Sequence, residues 1–165
     1  MPTFASEAER REILDYFSDR FGIPEKAFGG FCFLKGERKT WVVRDHPELE
    51  RILEQLKIES AGIPLLRTKT SMWKPTTAGL HIFGRHATRN VIDLEGDALR
   101  AFLNRESIEG PFSLEPGFVI VRWRGKVLGC AVCGKGKLRS QISKKRREPF
   151  ISSNSFPKSE PPSDR

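Results

Sequence analysis

The sequence predicts an α+β fold in two parts: a small α/β unit over residues 1–70 and a β-rich module over 71–150, followed by a disordered tail over 151–165. Three observations predict it. Apolar residues recur at helical spacing in the first fifty residues, between short β-prone runs. From Phe118 onward the pattern turns β-rich and is punctuated by glycine turns. From Phe150 to Arg165 serine and proline dominate and almost nothing is left to bury.

The elements follow in order. Ser6 and Glu9 form the spacing of a capping box, and Ile13, Leu14, Phe17 and Phe21 mark the apolar face of a helix over 6–21. Gly22 and Pro24 end it. Phe31-Cys-Phe-Leu34 and Thr40-Trp-Val-Val43 read as two strands around the polar turn Lys35 to Arg38. His46-Pro47 opens a second helix running to Lys57, with Leu49, Ile52, Leu53 and Leu56 on one face. Ile63 to Leu66 is a further strand. Residues 75–80 form a short helix capped by Thr76 or Thr77. Asn90 to Leu94 reads as a strand, and Asp97 to Asn104 as a helix with Leu99, Phe102 and Leu103 inward. Phe118 to Trp123 and Val127 to Val132 are paired strands around Arg124-Gly125.

The chain carries a formal charge of +8, and its distribution is uneven. Ser60 to Arg89 holds no acid and five bases: Arg67, Lys69, Lys74, Arg85 and Arg89. Gly134 to Arg147 holds no acid and seven: Lys135, Lys137, Arg139, Lys144, Lys145, Arg146 and Arg147. These twelve of the 29 bases leave 17 against 21 acids elsewhere, a mildly acidic body with two basic segments. Such segregation favours a polyanionic partner. No apolar run spans a bilayer, so no membrane role is expected, and Met1 to Arg11 is too polar for a signal peptide. Three cysteines are an odd number, and a reduced cytoplasmic protein is expected.

Within the second basic segment, Lys135, Lys137 and Arg139 alternate. On an extended chain they project from one face at about 6.6 Å spacing, a row able to track a phosphate backbone. The competing reading is an edge strand protected by lysines. Arg85, His86 and Arg89 form a second contact group, or simply an exposed helix end. Trp73 and Trp123 are left open between the core and a half-buried place beside a nucleic-acid surface, and Phe28, Phe31, Phe33 and Trp41 are expected in the core rather than on a base-stacking platform.

GFVIVRWRGKVLGCAVCGKGKLRSQISKKRR, from Gly117 to Arg147, resembles the PUA domain, a small RNA-binding barrel. Gly117-Phe118-Val119, the pair Leu128-Gly129 and the run Gly-Lys-Leu-Arg-Ser ending at Ser140 carry the likeness, and Ser143 stands where the family usually has proline. It is similar to the modules attached to Sun-family RNA cytosine-C5 methyltransferases and to ribosome-biogenesis factors. Trp73-Lys74-Pro75-Thr76 with Phe83-Gly84 resembles the entry to that module, and residues 8–70 the small domain that often precedes it. The resemblance implies a PUA-like β-barrel over 71–150 that grips structured RNA, either tRNA or rRNA, with an RNA-modifying enzyme or a pre-ribosomal particle as a further partner. The expected RNA-binding residues are Lys135, Lys137, Arg139, Lys144, Lys145, Arg146 and Arg147, with Lys74, Arg85 and Arg89.

No catalytic residues and no cofactor are expected. A cytosine-C5 methyltransferase of this family places its nucleophilic cysteine after proline, and none of Cys32, Cys130 or Cys133 follows one. No glycine-rich strand-to-helix turn is present to hold an adenosyl cofactor. Cys130-Ala-Val-Cys133 has zinc-knuckle spacing, but no second such pair exists, and residues three apart on a strand face opposite ways. The chain therefore reads as an RNA-binding part without a catalytic part. The alternatives are a small RNA-modification enzyme, the targeting subunit of a cytosine-C5 methyltransferase, or a protein-interaction adaptor docking on an acidic partner.

Overall fold

The computed structural model describes residues 1–57 and 61–143. The expected tail over 151–165 and four bases of the second segment, Lys144, Lys145, Arg146 and Arg147, lie outside the described residues. Among the described residues the chain forms four α-helices and two five-stranded sheets, an α+β fold.

The first sheet is an antiparallel meander in chain order: β1 (Thr3–Phe4), β2 (Phe31–Lys35), β3 (Lys39–Arg44), β4 (Ile63–Arg67) and β5 (Lys74–Pro75). Helix α1 (Glu7–Phe21) packs on it. The Glu9 N–H donates to Ser6 Oγ at 3.2 Å and the Ser6 N–H donates to the Glu9 carboxylate at 2.9 Å, the reciprocal capping box expected of that spacing. Ile13, Leu14, Phe17 and Phe21 are buried. At the other end Gly22 turns left-handed with φ 63°, and a Cβ there would lie 2.1 Å from Thr88 Oγ1. Both the dihedral and the close approach demand glycine.

Helix α2 (Leu49–Gln55) is shorter than the 46–57 expected and has no buried residue. Leu49 and Leu53 are half-covered, while Ile52 and Leu56 on the same face stay exposed. An apolar stripe without a partner surface fixes only the turns that do find contacts.

The second sheet has the order β6-β8-β9-β10-β7, built from β6 (Val91–Asp93), β7 (Ser107–Glu109), β8 (Gly117–Trp123), β9 (Lys126–Gly134) and β10 (Lys137–Ser140). β6 runs parallel to β8 and the other pairs are antiparallel. Arg124-Gly125 and Lys135-Gly136 all have positive φ, at 49°, 75°, 53° and 72°, the requirement of two-residue hairpin turns that follow the strand twist. Helices α3 (Thr77–Phe83) and α4 (Gly96–Leu103) flank this sheet, and Thr76 caps α3 by accepting from the Gly79 N–H at 3.0 Å.

Side-chain alternation sends β8 and β9 into two cores. Val119, Val121, Ala131 and Cys133 join Leu99, Phe102 and Leu103 of α4 in the smaller one. Ile120 and Cys130 face the opposite way, into a larger core with Phe17, Phe21, Phe28 and Phe83. Phe28 stacks on Phe83 with ring centroids 4.4 Å apart, so the larger core runs continuously across residue 70. Of the aromatics expected inside, Phe28 and Phe33 are fully buried and Phe31 and Trp41 half-buried.

Candidate nucleic-acid interface

The hairpin β9–β10 carries the bases on which the sequence reading leans. Lys135 sits in its turn rather than on the strand, so the expected row of three shortens to two, Lys137 and Arg139. These are exposed on one face while Leu138 and Ser140 are buried on the other. The turn chemistry of Lys-Gly overrides the alternation at Lys135. Nor is β10 an edge strand, since β7 pairs along its outer side. That pairing sets Glu109 opposite Lys137, with Nζ 3.2 Å from the carboxylate. Arg139 faces Val132 and Ser107, with no acid opposite it.

Within the expected group Arg85, His86 and Arg89, the first two are bonded to each other and the third is held by an acid. Arg85 Nε donates to His86 Nε2 at 3.2 Å within a 3-10 turn over Gly84–His86. Arg89 is ion-paired with Glu115 at 2.9 Å. Glu115 is the centre of a polar latch. It also meets Arg20 at 3.4 Å, accepts from the side chain of buried Asn90 at 3.2 Å, and donates its N–H to Asn90 Oδ1 at 2.9 Å. Asn90 Nδ2 donates to the Arg20 carbonyl at 2.7 Å, tying α1 to the start of β6. The hydrogen bond from Asn90, then that from Arg89 with its charge, hold the Glu115 carboxyl below the usual carboxylate range.

Lys74 belongs to a different place. A cleft of about 260 Å³ opens between the two sheets, with Lys39, Arg67 and Lys74 on one side and Thr77, Gln141 and Ser143 on the other. Among the described residues, no carboxylate lines it. The pairing of β3, β4 and β5 sets Lys39 opposite Arg67 and Arg67 opposite Lys74. Lys74 Nζ donates to Gln141 Oε1 at 3.0 Å and lies 6.0 Å from the ring centroid of Phe118. Beyond Phe118 a mainly apolar hollow is lined by Tyr16, Trp73, Phe118 and Met72. The Tyr16 hydroxyl donates to the Trp73 carbonyl at 3.0 Å, and the two rings stand 5.7 Å apart. Trp73 is half-buried, and so is Trp123.

Lys39 and Gln141 were invisible as site residues in the sequence. Lys39 lies outside both acid-free windows, and only strand register brings it to Arg67. The signal available was the hairpin itself, whose Lys35 to Arg38 turn fixes where Lys39 falls on β3.

Cys130 lies in the larger core and Cys133 in the smaller, on opposite faces of β9. Burial pushes the Cys130 thiol up to about 11, and its sulfur sits 3.9 Å from the Pro75 carbonyl. Such a thiol is neutral packing material near pH 7. Among the described residues, no helix is long and apolar enough to cross a membrane.

Residues 89–148 match the family model described as Methyltransferase RsmF PUA domain. Residues 3–62 match a family of unknown function, DUF7122. No curated protein matches the chain.

Proposed function

We propose that the chain, a PUA-domain protein of the type found in Sun-family methyltransferases, binds structured tRNA or rRNA and serves RNA modification or ribosome biogenesis as a non-catalytic adaptor. The observation that carries this reading is the β9–β10 hairpin of the PUA domain. Its Lys135 and Arg139 project into solvent with no acidic partner among the described residues, beside a Lys137 shared with Glu109. Cations of this kind supply sequence-independent phosphate contacts, and arginine adds stacking on exposed bases. Lys144, Lys145, Arg146 and Arg147 extend the same basic run in sequence, and Lys74 and Arg85 are exposed or half-exposed cations outside it. Arg89, held by Glu115, contributes least.

The non-catalytic reading rests on the chemistry of the cysteines. None follows a proline, and the Cys130 thiol is buried with its acidity suppressed, the reverse of what a pyrimidine-attacking thiolate needs. A cytoplasmic setting fits three free thiols.

The test is a salt series of binding to total tRNA and to rRNA fragments, comparing the full chain with Lys135→Ala/Lys137→Ala/Arg139→Ala. Tight binding that weakens steeply with salt, and a variant that loses about two phosphate contacts rather than three, is the expected result. Weak and equal binding by both proteins overturns the reading. Chemical change in the RNA when an adenosyl donor is added would instead make the chain an enzyme.

A further inference from the structure

In an antiparallel sheet, residues directly opposite one another share a face with their Cβ atoms about 5 Å apart, and like charges so placed repel. Lys39, Arg67 and Lys74 repeat that arrangement across three adjacent strands. None of the three has an ion-pair partner among the described residues. Lys35 and Lys69 beside this sheet are neutralised, by Glu9 and by Glu37 at 2.8 Å, and Arg44 of β3 lies over the Phe31 ring, 4.9 Å from its centroid. The ladder differs from these in lining a cleft.

The far wall of that cleft holds Gln141 and Ser143, which follow β10 of the PUA domain and offer an amide and a hydroxyl, and Thr77 at the start of α3 adds a second hydroxyl. Lys74 bridges to the next feature, with Nζ near the face of Phe118. There the aromatic hollow begins, and Met72, half exposed at 50%, forms an apolar rim that the fold leaves in water. Cations beside a half-open aromatic surface match the two needs of a single-stranded nucleic acid, phosphate neutralisation and base stacking.

We infer that the seam between the two sheets binds a single-stranded segment of RNA, with phosphates in the Lys39–Arg67–Lys74 cleft and a base against Trp73 and Phe118. This rests on the RNA-binding reading and deepens it, since it makes the N-terminal sheet part of the binding surface. The hairpin then holds the duplex that flanks the single-stranded segment.

The experiment is fluorescence anisotropy with the full chain and two labelled RNAs, an unstructured oligonucleotide of about eight nucleotides and the same sequence extended by a stable hairpin. The ladder variant Lys39→Gln/Arg67→Gln/Lys74→Gln is compared with wild type and with Lys135→Ala/Lys137→Ala/Arg139→Ala. The ladder variant loses at least tenfold in affinity for the oligonucleotide, and its salt slope falls by about two, at roughly 0.7 per contact for single strands. The hairpin variant binds the oligonucleotide as wild type does. The ladder variant's melting temperature stays level or rises, because repulsion has been removed. Wild-type RNA also quenches tryptophan fluorescence, and the conservative variant Trp73→Phe abolishes most of that quenching. If the ladder variant binds both RNAs like wild type while the hairpin variant does not, the seam inference fails and the RNA-binding reading stands. If wild type binds neither RNA, both fail. A sharp drop in melting temperature of the ladder variant assigns those cations to the fold and overturns the inference.

Discussion

The β9–β10 hairpin and the β3–β4–β5 ladder each present three cations, but they differ in what the fold sets against them. In the hairpin, one base is displaced into the turn, one is tied to Glu109, and Arg139 alone stands unopposed on the strand. In the ladder, Arg67 stands opposite both Lys39 and Lys74, and all three line a cleft that has no carboxylate among the described residues. The acid-free windows of the sequence are therefore poor guides to free charge. The fold brings Glu37 to Lys69, Glu109 to Lys137 and Glu115 to Arg89, each acid drawn from outside the window it neutralises. Charge left unneutralised gathers where register and not sequence proximity puts it.

Several substitutions separate the two regions. The largest effect is one that cannot separate them. Phe28 is fully buried against Phe83, Phe17 and Phe33 in the core beneath both sheets, so Phe28→Ala should cost about 3–5 kcal/mol in urea unfolding and weaken both surfaces together. A loss confined to one surface would mean that the core does not join them. Next, Asn90→Ala removes three hydrogen bonds of the latch and leaves alanine at φ 51°, for a loss of about 2 kcal/mol. RNA affinity should hold under conditions where the variant is folded.

Binding effects come after these. Glu109→Gln frees Lys137, and the salt slope for folded RNA should rise by up to about 0.9, with no change for a short single-stranded oligonucleotide. A change in both would place the two RNAs on one surface. The smallest effect is the most diagnostic of the ladder. Arg67→Gln relieves two like-charge contacts and should stabilise the free protein by about 0.5 kcal/mol while weakening oligonucleotide binding, whereas Arg139→Gln should leave stability unchanged. Thermal melts and anisotropy on the same samples read both quantities.

What could be read in advance follows the range of the interactions involved. α1 was legible from its capping box, its four-residue apolar spacing and Gly22, all local signals. The β8–β9 hairpin was legible for the same reason, from β-branched runs around Arg124-Gly125. β7 was not, because Ser-Ile-Glu carries no periodicity, and missing it hid both the covering of β10 and the pairing of Lys137. Of the site, Lys137 and Arg139 could be placed on one face by alternation alone. The ladder needed the pairing of three strands whose connections include α2 and the segment around Met72, so no window of sequence contains it. The placement of Trp73 stays open in the sequence because its partner ring, Tyr16, comes from α1, far away along the chain.

Ultraviolet crosslinking of bound RNA to the full chain, followed by peptide mapping, tests the central claim most directly. Adducts on the peptides holding Trp73 and Lys74 and on those holding Lys135 to Arg139 are the predicted result, with the first set obtained from the single-stranded oligonucleotide alone. Adducts confined to α2 or α4, or none on either predicted peptide under tight-binding conditions, would contradict the account.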